Sequence, residues 1–196
     1  MATRPPEIVL VRHGETHWSR AGKHTGRTDV PLTERGRRQA EAIRAVLGER
    51  RFELVLTSPL ERAAETCRLA GYGDLAVRSA DLVEWDYGAY EGRTTTDIRT
   101  ERPGWTLWRD GVPDGETPAA VGVRADRVLE LLLAATGDAL VFAHGHFLRV
   151  LAARWLGLEP SEGRLFALDP ATISVLGHER EAPVICRWNI DGSSGS

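Results

Sequence analysis

The chain has 196 residues, 42% of them hydrophobic and 27% charged, with a formal net charge of −3. That length suits one sizeable α/β domain with a full core, and the mild negative charge excludes general attraction to nucleic acid or an anionic membrane. No apolar run approaches the length that spans a bilayer. Residues 1–7 lack the apolar centre of a signal peptide. Cys67 and Cys186 are too few and too unpatterned for a disulfide framework, so a reduced, cytoplasmic protein is expected. Lys23 is the only lysine among 25 basic residues. Arginine is therefore the general surface cation here, and only arginines placed by context mark an anion site.

Ile8–Arg12 is an apolar, β-branched run that predicts a first strand, running directly into His13 and Gly14. Gly14 reads as a turn that leaves the strand without a side chain obstructing a ligand. Thr33 then precedes a helix over 34–50, with Ala40, Ile43 and Leu47 on one face. Residues 53–57 predict a second strand. Ser58-Pro59-Leu60-Glu61 reads as a capping box with proline at the first helical position, opening a helix to about residue 70. Residues 75–77 and 82–83 are weak strands, and the stretch 85–117 loosens into Gly, Pro, Asp and Trp with a short helix near 95–102.

Thr117 and Pro118 start a long helix to about residue 135, with Val121, Val128, Leu132 and Ala135 on its buried side. A strand over 138–143 follows, then a helix over 147–156, then strands over 171–176 and 184–188. Residues 191–196, DGSSGS, read as a flexible tail. Strands alternating with helices predict an α/β class: a three-layer sandwich with a mainly parallel central sheet and helices on both faces.

Ligands of open α/β sheets bind beyond the carboxyl ends of the strands. That rule gathers Arg12 and His13, Thr57 and Ser58 with Arg62 one turn into the next helix, Glu84, and His144 with His146. Two guanidiniums on one point suit a dianionic phosphoryl group. The helix N-terminus after Ser58 would add a favourable dipole. A neutral imidazole can attack phosphorus, and a carboxylic acid can protonate the leaving alkoxide. His17, His24 and His146 match no usual zinc spacing, and the neighbouring arginines would repel a cation, so no metal is expected. Trp85, Trp105 and Trp108 read equally as an entrance lining or as glue for their segment.

LVRHGET, TSPLERAAET, LVEWDYGAYEG and VFAHGH, in that order, resemble the histidine phosphatase superfamily with its phosphoglycerate-mutase-like fold. The resemblance runs from about residue 8 to residue 176. It implies one catalytic domain over 1–190, with 85–117 as an insertion over the carboxyl strand ends. It also implies that His13 is the phosphorylated nucleophile, Glu84 the general acid and base, and Arg12, Arg62 and His144 the phosphate pocket. Ser19, Thr25 and Gly26 fall where relatives line the entrance. Arg149 falls where an arginine of the acid-phosphatase and sedoheptulose-bisphosphatase-like branch contacts substrate, and Tyr87 joins this set.

Cofactor-dependent mutases carry a lysine at the position of Thr95 and a paired-arginine segment that this chain lacks. The resemblance therefore favours metal-independent, cofactor-free hydrolysis of small phosphorylated metabolites, sugar phosphates above all. Phosphoglycerate mutase activity and a module that binds phospho-ligands without turnover are the alternatives. No partner beyond the metabolite is expected, neither nucleic acid nor membrane, and no motif settles whether the chain is a homodimer.

Overall fold

The computed structural model describes residues 5–191. The first four residues of the N-terminal stretch and the expected tail after Asp191 lie outside the described residues. Six strands form one sheet: β1 (Ile8–Arg12), β2 (Leu54–Thr57), β3 (Val77–Arg78), β4 (Ala139–Ala143), β5 (Thr172–Glu179) and β6 (Ala182–Asp191). Their order is β3-β2-β4-β1-β5-β6. The first four are mutually parallel, whereas β5 runs antiparallel to β1 and β6 antiparallel to β5.

Strand periodicity assigns the two faces of this sheet. Ile8, Leu10, Val141 and Leu176 point one way, onto α6 (Pro118–Ala134) and α7 (Gly145–Trp155). Val9, Val11, Leu140, Phe142 and Ile173 point the other way, onto α2 (Glu34–Leu47) and α3 (Glu61–Leu69). Because β1 and β4 are covered on both faces, their runs are apolar at every position until the last residues. The polar side chains that follow those strands have a single way out, at the carboxyl end.

The segment 85–117 adds α4 (Thr95–Glu101) and α5 (Leu107–Asp110) on the α6–α7 side of the sheet. Its tryptophans act as glue. Trp85 and Trp105 are buried and donate their indole N–H groups to the carbonyls of Glu116 and Gly111.

Three local expectations are corrected, and one unexpected helix is added. No capping box opens α3: the helix starts at Glu61, and its first N–H is taken by the carboxylate of Asp29, at 2.8 Å, from a distant loop. Residues 82–83 are no strand; Leu82 closes a 3₁₀ turn over Ala80–Leu82 and buries its side chain there. A short helix, α1 (His17–Arg20), follows β1, capped reciprocally by Thr16 and Ser19. Gly14 serves packing rather than a turn, because a Cβ there would lie 2.4 Å from the carbonyl oxygen of Gly36.

Candidate active site

The carboxyl ends of β2, β4 and β1 are neighbours, and pairing with β4 continues one residue past β1 and past β2. His13 N–H donates to Ala143 O at 3.0 Å, and Ser58 N–H donates to Phe142 O at 2.9 Å. Arg12, His13 and Ser58 are thereby fixed by backbone pairing before any side chain contributes, and His144 directly follows the last residue of β4. A cavity of about 220 Å³ opens at this end, and Arg12, His13, Ser19, Thr25, Glu84, Tyr87 and Arg149 all line it. Arg62 and His144 are fully buried and do not line it. Gly26 is likewise outside the wall.

His13 is buried, and its Nδ1 lies 2.8 Å from the carbonyl oxygen of Gly14. A carbonyl only accepts, so Nδ1 carries the proton and Nε2 keeps its lone pair. Burial, then the charges of Arg62 and Arg12, hold this imidazole well below the usual histidine range, so it is neutral. His144 has the opposite tautomer. Its Nδ1 accepts from Arg62 Nε at 3.2 Å, which leaves Nε2–H to donate to Ser58 Oγ at 2.8 Å. The two rings lie 5.2 Å apart. Burial, then the charge of Arg62, holds His144 neutral as well.

Arg62 spends most of its donors on one loop. Nη1 donates to Thr28 O at 3.0 Å, and Nη2 donates to Thr25 O at 3.0 Å and Gly26 O at 2.9 Å. The N–H groups of that loop go to a carboxylate: Glu91 accepts from Gly26 at 2.9 Å and from Thr28 at 3.1 Å. A guanidinium and a carboxylate thus clamp residues 25–28 by their opposite polar groups. Gly26 is required inside the clamp, because a Cβ there would lie 2.5 Å from Trp85 O and 2.7 Å from Glu91 Oε2.

Arg12 donates to the carbonyl of Leu168, while its buried Nε has no partner. Gly145 makes room for it, since a Cβ would stand 3.1 Å from the guanidinium carbon. A buried, unsatisfied guanidinium N–H at the wall of a cavity is a ready donor for an anion.

Glu84 is held at three points. Oε1 accepts from the N–H groups of Trp85 and Phe147, both at 2.9 Å, and Oε2 accepts from His146 N–H at 3.0 Å. The dipole end that reaches the site is therefore that of α7, directed onto Glu84, and not that of α3, which Asp29 occupies. Arg124 fixes the chain leading to Glu84 by donating to the carbonyls of Asp81 at 2.7 Å and Val83 at 3.0 Å.

Further side chains on the wall include Lys23, His24 and Thr95, to which the sequence reading gave no role in binding substrate, and His146, which it gathered at the strand ends without a role. Burial lowers His24 to about 4 and holds His146 well below the usual range, so both are neutral. The hydroxyl of Tyr87 lies 2.6 Å from His146 Nδ1, and burial keeps that phenol protonated. Their signal was present in the sequence, one histidine beside Thr25-Gly26 and the other two residues after His144. The cations on the wall are Arg12, Lys23 and Arg149, against the single carboxylate of Glu84. A wider groove of about 550 Å³ beside α3 carries four carboxylates and two guanidiniums and no imidazole, a lining that repels phosphate.

A parallel-centred sheet that delivers a neutral imidazole, buried guanidiniums and a carboxylate to one cavity is the architecture of a phosphoryl-transfer enzyme working through histidine. The chain belongs to the histidine phosphatase superfamily, branch 1, whose family model matches residues 8–191. It is 44% identical to an acid phosphatase of Mycobacterium tuberculosis over 91% of this chain and 90% of that protein. It is 36% identical to the sedoheptulose 1,7-bisphosphatase of Saccharomyces cerevisiae, over 81% of this chain and 70% of that protein. Among solved structures, the product of an open reading frame of Mycobacterium tuberculosis superposes with a TM-score of 0.90 at 40% identity, covering 96% of this chain and all of that one.

Proposed function

We propose that this chain is a metal-independent phosphomonoesterase that acts on small phosphorylated metabolites, sugar phosphates foremost, through a phosphohistidine at His13. One observation carries the reading: Nδ1 of His13 is committed to the Gly14 carbonyl, leaving a neutral Nε2 lone pair at the wall beside Arg12. In the first step Nε2 bonds to phosphorus and the ester P–O bond breaks. The departing oxygen takes the proton of the Glu84 carboxylic acid. In the second step water gives a proton to the Glu84 carboxylate and attacks phosphorus, breaking the P–N bond and releasing phosphate. Oε2 of Glu84 accepts one N–H where Oε1 accepts two, so Oε2 has room for that proton. Arg12 stabilises the charge on the phosphoryl oxygens from the wall, the buried charge of Arg62 supports it from behind, and the Arg62–His144–Ser58 chain keeps the floor of the pocket in place.

Sugar phosphates are favoured by the names of the similar phosphatases and by a pocket that places polar side chains around its cationic end. Cys67 and Cys186 are both unpaired, which suits a cytoplasmic location. No helix of the described residues is long and apolar enough to cross a membrane, and recovery in the soluble fraction of disrupted cells checks the assignment. Brief exposure to labelled substrate tests the chemistry: acid-labile, base-stable label is expected on His13. Full turnover by His13→Ala, with phosphate still released, would overturn the mechanism, and interconversion of phosphoglycerates without phosphate release would replace hydrolysis with mutase activity.

A further inference from the structure

We infer that Lys23 is a receptor for a second anionic group on the substrate, so that this site selects metabolites carrying two anions, the scissile phosphate and a distal phosphate or carboxylate. The inference rests on the phosphatase reading above and adds the substrate class to it.

Three observations meet at this residue. The chain holds a single lysine, and that lysine lines the cavity that also holds Arg12, His13 and Glu84. Its position is fixed by the backbone: Lys23 N–H donates to Trp18 O at 3.0 Å, the residue bridges to Thr94, and its ammonium lies 5.6 Å from the centre of the Trp18 ring. Its charge is also uncommitted. Arg27, Arg50, Arg93, Arg124 and Arg154 each meet a carboxylate at 2.5–2.8 Å, whereas Lys23 forms no ion pair among the described residues. Asp97, whose carboxyl is lowered chiefly by its hydrogen bonds at Thr94 and only slightly by the Lys23 charge, is occupied in capping Thr94 at the start of α4.

The remainder of the wall shows why a second anion is the fitting ligand. Arg12 serves the phosphoryl group beside His13. Arg149 is stacked on Trp108 at 4.6 Å and donates to Gly163 O at 3.0 Å, which fixes its plane on the α7 side. Lys23 approaches from the side of α1 and α4, with His24, Thr25 and Thr95 beside it. His24 is neutral, so the ammonium is the charge on that side of the wall. A compact, rotatable ammonium suits a phosphate or carboxylate whose distance from the scissile ester varies between sugars. A singly phosphorylated substrate leaves this charge unused.

The test compares kcat/KM on fructose 1,6-bisphosphate, on 3-phosphoglycerate and on a neutral-tailed ester, nitrophenyl phosphate, for the wild type, Lys23→Gln and Lys23→Arg. The preference of the wild type for the doubly anionic substrates is expected to fall about tenfold in Lys23→Gln and to survive largely in Lys23→Arg. Loss on the bisphosphate alone assigns the second group to phosphate, and loss on both substrates assigns it to either anion. An unchanged preference in Lys23→Gln, or an equal loss in the arginine variant, overturns the inference. Failure of the wild type to release phosphate from any of the three would instead overturn the phosphatase reading beneath it.

Discussion

At the scale of single residues, the decisive feature is how each imidazole is assigned its proton. His13 and His144 differ by one partner atom. A carbonyl oxygen facing Nδ1 makes His13 a base at Nε2, whereas a guanidinium facing Nδ1 makes His144 a donor at Nε2. Because the His13 pKa is depressed, its free Nε2 is present above the folded value and is lost only as pH falls through it. Single-turnover phosphorylation of His13 by nitrophenyl phosphate, whose leaving group needs little protonation, should therefore keep its rate as pH falls through about 6.5, once substrate titration is allowed for. A midpoint near 6.5 would show an ordinary, solvated imidazole. Glu84 makes a second prediction. Glu84→Gln keeps an oxygen to accept from the α7 N–H groups but cannot protonate a leaving group. Its loss should reach about 10²–10⁴-fold on sugar phosphates, whose alkoxides need a proton, and be much smaller on nitrophenyl phosphate. Equal losses on both would remove Glu84 from the acid role.

At the scale of elements, the site is a product of strand ends and of loops that cross to them. The strand ends were legible: β1 is apolar from Ile8 to Val11 and β4 throughout, and the chain then turns abruptly to Arg-His and His-Gly-His, which a buried strand can do at its exit alone. The loops were not legible. The Asp29 cap on α3 and the Glu91 and Arg62 clamp on 25–28 join residues 32 to 65 positions apart, through backbone groups that no side-chain pattern encodes. The Leu82-Val83 pair misled for the same reason, since burial in a 3₁₀ turn and burial in a strand look alike over two residues. The clamp carries its own prediction. Glu91→Ala frees the loop whose carbonyls orient Arg62, so kcat should fall about 10- to 100-fold with a smaller change in KM. Combined with Arg62→Ala it should cause little further loss, because both substitutions remove one arrangement. Full additivity would detach Glu91 from the guanidinium. The close backbone contact between α2 and the loop from β1 to α1 makes another. A Cβ on Gly36 would stand 2.1 Å from Glu15 O, so Gly36→Ala should lower stability by about 1–3 kcal/mol, read from the urea midpoint.

At the scale of the whole molecule, a site built from neutral histidines sets how the fold responds to acid. His13, His144 and His146 are held well below the usual range, and His24 is held at about 4, each by burial first. In the unfolded chain these imidazoles titrate near 6.5, so between that value and their folded values the unfolded state binds more protons. Stability must then rise with pH through this window and be lost as pH falls from about 6.5 toward 4, by up to about 1.4 kcal/mol per pH unit for each histidine. The carboxylates act lower. Asp110, lowered to about 2 by Arg109, and Asp81, lowered by Arg127, contribute stability above their unfolded values that is lost as pH falls below about 4. The two windows differ in cause, and salt separates them. Carboxylates paired with exposed arginines are screened, whereas the cost of charging a buried imidazole is desolvation and persists at high ionic strength. Urea unfolding between pH 7.5 and 5 should show a steep decline that added salt does not flatten. His24→Asn should reduce the slope by one histidine's share. A flat profile across that range, or one abolished by salt, would mean that the imidazoles at the strand ends are solvated rather than held neutral for chemistry.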